Sequence, residues 1–135
     1  MQLEFFMPMI PPTTTHQMHK VRVVKGKPIF YEPPEVKDAR AKLLAHLAEH
    51  RPEREMKGAV ELSVMWLFPP GESNHKDGEY RTTKPDTDNL EKLLKDCMTA
   101  VGFWRDDAQV AVELIAKRWA VNCGIWINVR EIEEE

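Results

Sequence analysis

The chain of 135 residues has few cysteines and no long apolar segment. Its two cysteines, Cys97 and Cys123, are too few for a disulfide framework and do not stand at a metal-binding spacing. No apolar run approaches the roughly 20 residues that a membrane-spanning helix needs. Because the first residues also lack a basic stretch, we expect no signal peptide. These absences argue against a disulfide-rich secreted protein or a helical membrane protein, and we expect one domain in the cytoplasm.

Acidic residues are absent from one long stretch of the chain. The formal net charge is −3, yet no Asp or Glu stands between Glu4 and Glu32. This basic segment contains His16, His19, Lys20, Arg22, Lys25 and Lys27. Such a segment could bind phosphates, or it could be a solvated hairpin whose lysines protect an edge strand. Charge alone leaves both interpretations open.

The hydrophobic pattern predicts a mixture of strands and helices. Strands are predicted at 2–7, at 59–68 and on both sides of a turn at Lys25–Pro28. Segments 109–120 and 125–132 are predicted to form a hairpin around Asn122–Gly124. Apolar stripes predict helices at 35–50 and 89–101, the second capped by Asp88 with Glu91 three residues later and ended by Gly102. The expected fold is therefore α+β, with a small mixed sheet and β-hairpins packed against two helices in a single domain.

Carboxylates are concentrated around the second predicted helix. Pro85 restrains the backbone before Asp86 and Asp88, and a second pair, Asp106 and Asp107, follows the helix. Two like charges about 4 Å apart repel by about 4 kcal/mol at an effective dielectric near 20. A bound cation would offset this repulsion, and hard divalent cations prefer oxygen ligands. This pattern favours a metal-dependent site for phosphoryl transfer.

The same motifs allow three other interpretations. Asp88, Lys92 and Asp96 are spaced by one helical turn and could form a ladder of surface ion pairs. Asp86-x-Asp88 begins like a calcium-binding loop, but the glycine that such a loop requires is absent. Residues 46–50 read H-x-x-E-H, an inverted zinc-protease motif, yet no third ligand is marked downstream.

The run KPDTDNLEKLLKDCMTAVGFWRDDAQV, residues 84–110, resembles the signature of RusA-type Holliday junction resolvases, a family with many prophage-encoded members. A proline-rich early segment, Pro8 to Pro12, agrees more loosely, so that the resemblance covers most of a single domain, 1–135. It implies a homodimeric, Mg²⁺-dependent endonuclease that cuts four-way DNA junctions. Asp86, Asp88 and Asp107 match the family's essential aspartates and are expected to hold the metal. Lys92 matches its catalytic lysine.

Residues around this motif are candidates for contact with DNA. The candidates for phosphate contacts are Lys20, Arg22, Lys25, Lys27, Arg81, Lys84, Lys95 and Arg105. Ordinary surface charge is the competing explanation for each of them. Phe103 and Trp104 could stack on unpaired bases, but we favour their burial in the core or in a dimer interface. A flap or fork nuclease and a non-catalytic junction-binding protein remain the alternative functions.

Overall fold

The computed structural model describes residues 1–15 and 20–134, so His16 and His19 of the basic segment lie outside the described residues. Two α-helices, six strands and one short 3₁₀ turn make up the fold of the described part. In chain order the elements are β1 (Gln2–Met7), β2 (Lys20–Val24), β3 (Lys27–Tyr31), α1 (Pro34–Ala48), β4 (Val60–Phe68), α2 (Thr87–Val101), the 3₁₀ turn (Asp107–Gln109), β5 (Val110–Trp119) and β6 (Gly124–Glu131). Among the described residues, no helix has the length and apolar character needed to cross a bilayer.

The strands form a four-stranded mixed sheet and a separate hairpin. The sheet order is β1-β6-β4-β5, and β2 pairs antiparallel with β3 across the predicted turn. β4 pairs with β5 in parallel and with β6 antiparallel. The expected α+β class, with a small mixed sheet and two helices, is confirmed.

The predicted hairpin between 109–120 and 125–132 is wrong. β5 and β6 follow each other in the chain, but β4 lies between them in the sheet. Strands lie about 4.8 Å apart, so the connection must cross about 10 Å. The four residues 120–123 can span that distance, since an extended chain covers roughly 3.3 Å per residue. Alternation identifies a strand, but it does not identify the strand's partner.

One core joins the helices to the sheet. Val60, Leu62, Val64, Trp66 and Phe68 alternate along β4 and are all buried, as the sequence predicted. They pack with the apolar stripe of α2, whose buried members include Leu90, Leu93, Leu94, Cys97 and Met98. Each fully buried aliphatic side chain contributes about 1.5–3 kcal/mol through the hydrophobic effect.

Phe103 and Trp104 belong to this core. Their exposed fractions are 0% and 1%, and the indole N–H of Trp104 donates to the Thr99 hydroxyl at 2.7 Å. Both rings are therefore enclosed by protein, and neither offers a face on which a base could stack. Of the two predicted roles, the core interpretation is confirmed.

α2 begins two residues earlier than predicted. Asp86, with an extended backbone, occupies the N-cap position, but its carboxylate makes no capping hydrogen bond. Asp88, the predicted cap, lies inside the first turn, where its Oδ1 accepts from the N–H of Asn89 at 2.9 Å. Gly102 ends the helix as predicted, with a φ of 103°. The first turn of α2 thus presents two carboxylates that are not used to close the helix.

Candidate active site

Asp86, Asp88 and Lys92 lie along the first half of α2. All three side chains are exposed. Asp88 and Lys92 are four residues apart, which places them one turn apart on the same helix face. The positive end of the helix dipole favours carboxylates in this first turn. Two acceptor groups and one ammonium group are therefore available to a ligand at this surface.

Asp107 is held by the short 3₁₀ turn that precedes β5. The Asp106 carboxylate caps that turn by accepting from the N–H of Ala108 at 2.9 Å, and the Gln109 side chain accepts from the N–H of Asp106 at 3.1 Å. Gln109 also donates to the carbonyl of Met56 at 3.0 Å, which ties the turn to the segment before β4. Asp106 and Gln109 therefore stabilise the conformation that carries Asp107.

Lys92 connects α2 to this turn. Its Nζ lies 3.4 Å from Oδ2 of Asp107 and 3.0 Å from Oδ1 of Asp96. The hydrogen bond and charge of Asp96, and then the charge of Asp107, raise the pKa of Lys92. The ion pair with Asp96 that was considered as a surface alternative does form, but it shares the ammonium with Asp107. Lys92 is thus a charged group beside a candidate catalytic carboxylate.

The three candidate aspartates do not form one compact ligand group. In the described ranges 1–15 and 20–134, no three His, Cys, Asp or Glu side chains lie close enough together to hold a metal ion. Mg²⁺, however, is commonly bound by one or two carboxylates together with water and substrate phosphates. The exposed pair Asp86 and Asp88 fits that mode by its hard oxygen donors.

The loop before Asp86 is held by two cations that sequence reasoning did not connect with the site. Arg81 Nε donates to the Lys84 carbonyl at 3.1 Å, and Lys117 Nζ donates to the carbonyls of Thr83 and Pro85 at 2.8 and 2.7 Å. Burial and the charge of Arg81 lower the pKa of Lys117, whereas the charge of Asp86 acts in the opposite direction. The sequence does contain a sign that Lys117 is unusual. Alternation along β5 places Lys117 on the same face as Trp119, where an apolar residue is expected.

Glu91 is a buried carboxyl group directly beneath this surface. It is only 2% exposed, and its Oε1 accepts from the indole N–H of Trp66 at 2.8 Å. Burial, followed by the hydrogen bond and charge of Glu113, raises the pKa of Glu91 to about 8, against the opposing effects of Trp66 and Lys95. Glu91 was expected to complete a capping box at the surface, and that prediction is wrong. Its side chain instead joins α2 to β4 and β5.

The candidate DNA contacts are distributed over several elements. Arg22, Lys25 and Lys27 are exposed in the β2–β3 hairpin, whereas the side chain of Lys20 lies outside the described part. Lys84 and Arg105 are exposed near the aspartates. The remaining two are engaged within the protein: Lys95 pairs with Glu113 at 3.2 Å, and Arg81 binds the Lys84 carbonyl.

Among the described residues, His46, Glu49 and His50 do not form a metal site. α1 ends at Ala48, two residues before the end of the predicted helix at 35–50, so His50 lies beyond it. The ring of His50 stacks on Phe5, with 4.2 Å between ring centroids and an interplanar angle of 9°. This contact uses the histidine as a packing residue at the edge of the core. The zinc-protease interpretation therefore has no structural support.

Comparison with known proteins identifies the family of this chain. The family model described as endodeoxyribonuclease RusA matches residues 9–130. A protein of Lactococcus phage r1t, named crossover junction endodeoxyribonuclease rusA, is 26% identical over 137 residues that cover 100% of this chain and 92% of the relative. The uncharacterized protein YqaN of Bacillus subtilis (strain 168) is 30% identical over 95 residues, or 63% of this chain and 66% of the relative. The chain thus belongs to the RusA family and is an endodeoxyribonuclease.

Proposed function

We propose that this protein resolves four-way DNA junctions in recombination and repair by paired, symmetric, Mg²⁺-dependent nicks. The whole chain, 1–135, would act as one nuclease domain in the cytoplasm. The observation that carries the proposal is the exposed pair Asp86 and Asp88 beside Lys92, whose ammonium contacts Asp107. The phage relative named a crossover junction endodeoxyribonuclease supports the choice of substrate.

The four residues take two roles in this proposal, metal binding and stabilisation of the phosphate charge. Asp86 and Asp88 would hold Mg²⁺ through their carboxylate oxygens, and Asp107 would join them when DNA is bound. When bound, Mg²⁺ supplies Lewis-acid stabilisation of the phosphate oxygens and lowers the pKa of water. The Lys92 ammonium would position the scissile phosphate and offset the negative charge that develops on it.

Junction binding would use exposed basic residues of two segments. Lys84 and Arg105 are exposed and close in sequence to the candidate aspartates, and Arg22, Lys25 and Lys27 are exposed in the β2–β3 hairpin. Such contacts position the DNA backbone without reading its sequence. Two symmetric nicks require two sites, and a chain with one site supplies them most simply as a homodimer with twofold symmetry.

The variant Asp107→Asn tests the proposal. It keeps the shape of the side chain but removes its charge, so that nicking of a synthetic four-way junction in Mg²⁺ should fall by about 100-fold or more. Junction affinity, measured by gel shift without Mg²⁺, should stay within about threefold, because DNA affinity comes mainly from cationic contacts with phosphates. Asp38→Asn, which changes an exposed aspartate of α1, is the matched control and should nick normally.

The same assay separates the alternatives. Mapped nicks at symmetric positions on opposing strands support a junction resolvase. Faster cutting of flaps or forks would identify a different structure-selective nuclease, and tight binding without any Mg²⁺-dependent nick would identify a non-catalytic junction-binding protein. Full activity of Asp107→Asn would refute the assigned carboxylate.

A further inference from the structure

Three successive carbonyl groups before Asp86 accept hydrogen bonds from cations. The Lys117 ammonium binds those of Thr83 and Pro85, and the Arg81 guanidinium binds that of Lys84 between them. Residues 82–85 lie outside the helices and strands, so their carbonyls take no part in the hydrogen bonding of a helix or a sheet. Charged donors form stronger hydrogen bonds than neutral donors do. The backbone of this loop is therefore held by hydrogen bonds from side chains, whereas the backbone of a strand is held by hydrogen bonds from neighbouring strands.

The Arg81 guanidinium is itself fixed by the core. Its Cζ lies 4.3 Å from the centre of the Phe68 ring and 4.5 Å from the centre of the Trp119 ring. Phe68 and Trp119 are paired residues at the ends of β4 and β5. Cation–π contacts of this kind contribute about 0.5–2 kcal/mol. Arg81 thus binds the loop from a rigid support at the end of the sheet.

Lys117 binds the loop with both its side chain and its backbone. Besides the two bonds made by Nζ, its carbonyl accepts from the N–H of Arg81 at 3.0 Å. Lys117 is in register with Trp66 of β4, in the part of the β4–β5 pairing that has no register shift. Its backbone position is consequently determined by β4, and its ammonium transmits that position to the loop.

The bond to the Pro85 carbonyl acts directly on Asp86. The carbonyl of one residue and the Cα of the next lie in a single rigid peptide plane. Fixing the oxygen of Pro85 therefore restrains the Cα of Asp86, from which the carboxylate extends. The carboxylate of Asp86 is exposed and makes no capping bond. The carbonyl of Asp86 accepts from the N–H of Leu90 at 3.1 Å, so the bond to Pro85 holds the other side of the Asp86 Cα.

We propose that Lys117 is a positioning residue for the reaction, and that its ammonium sets the placement of Asp86 through the carbonyls of Thr83 and Pro85. Arg81 acts with it through the carbonyl of Lys84. The inference rests on the proposed function, in which Asp86 holds Mg²⁺. It adds a lysine of β5 that lies outside the motif of residues 84–110 and acts on the loop, not on the DNA.

The variant Lys117→Met keeps most of the apolar stem and removes the ammonium. Nicking of the four-way junction should slow by about 10- to 100-fold, because displacement of a catalytic group by about 1 Å can cost 100-fold. The Mg²⁺ concentration that gives half-maximal rate should rise, and junction affinity should stay within about twofold. Lys37→Met, which changes an exposed lysine of α1, should leave all three quantities unchanged.

Hydrogen–deuterium exchange gives a readout that does not depend on activity. Peptides covering residues 82–87 should exchange faster in Lys117→Met than in the wild type, while peptides of α1 should not change. Lys117→Gln, which can donate to one carbonyl, should give intermediate values, and it replaces the methionine variant if that variant does not fold.

The outcomes separate this inference from the proposed function. If the wild type does not nick a junction with Mg²⁺, the proposed function fails, while the exchange measurement still tests the anchoring of the loop. Unchanged exchange at 82–87 would overturn the positioning role. A slower reaction explained wholly by weaker junction binding would also overturn it, because Lys117 would then be a DNA contact.

Discussion

Replacing Glu91 by glutamine should remove a pH dependence from the stability of this protein. The Glu91 carboxyl is buried, accepts from Trp66 through Oε1, and has no hydrogen-bond donor at Oε2. It interacts with Glu113, a second carboxyl group, which is paired with Lys95. A proton on Glu91 lets Oε2 act as a donor to Glu113, whereas loss of that proton leaves a buried charge. The folded state should therefore hold this proton well above the usual pH range of a glutamic acid.

The pKa values set the size of the effect. Burial raises the pKa of Glu91 from 4.5 to about 8 in the folded state. Between these values the folded chain binds one proton more than the unfolded chain, so the free energy of unfolding falls as pH rises. The slope is about 1.4 kcal/mol per pH unit, or about 3 kcal/mol between pH 5.5 and 7.5. This stabilisation is fully present below the pKa of Glu91 in the unfolded chain, and it is lost as pH rises through the pKa of Glu91 in the folded state.

Urea denaturation at pH 5.5, 6.5 and 7.5 measures the effect. Glutamine at position 91 retains an acceptor for Trp66 and a donor for Glu113, and it does not titrate. Relative to Glu91→Gln, the wild type should therefore lose about 3 kcal/mol of unfolding free energy between pH 5.5 and pH 7.5. Glu49→Gln, which removes the exposed carboxyl at the C-cap of α1, should track the wild type. Parallel curves for wild type and Glu91→Gln would refute the reasoning.

Two further predictions concern packing. Gly124→Ala should destabilise the fold by about 1–3 kcal/mol in urea denaturation. A Cβ at this position would clash with the Phe6 ring and would lie 2.5 Å from the Met7 carbonyl oxygen. Unchanged stability would contradict this prediction, because the neighbouring backbone would then have moved to accommodate the methyl group. Cys97 should react slowly with a thiol reagent at pH 8 in the folded protein, since burial raises its pKa to about 11. Equally fast labelling of Cys97 and Cys123 would contradict the burial of Cys97.

Local elements were predictable because their signals are local. The apolar stripe of α2 and the alternation of β4 each place one face against a core, and the structure confirms both. The N-cap of α2 was misplaced by two residues because Asp86 and Asp88 are equally suitable caps by residue type. The pairing of β5 and β6 was wrong because two alternating segments joined by a short turn look the same whether or not a third strand separates them.

The candidate site was predictable only in part. Paired acids at a helix start indicated a cation site, and the order of Asp86, Asp88, Lys92 and Asp107 made it recognisable. The contact between Lys92 and Asp107 could not be inferred, because residues 93–106 run along the rest of α2 and then turn, and the sequence does not give the direction of that turn. The capping role of Asp106 depended on a 3₁₀ turn that has no periodic signal.

By itself, the sequence determined the helices and strands, apart from their ends, and it identified the candidate catalytic residues, since periodicity and motif spacing are relations between neighbours in the chain. Only the tertiary structure decided which strands pair, that Glu91 is buried against Trp66, and that Lys117 binds the loop before Asp86. The physical reason is that burial and hydrogen bonding between distant segments depend on how β4, β5 and α2 pack together. The candidate catalytic residues stand in one short stretch, from Asp86 to Asp107, whereas residues that contact this stretch belong to strands before and after it in the chain, β4 and β5.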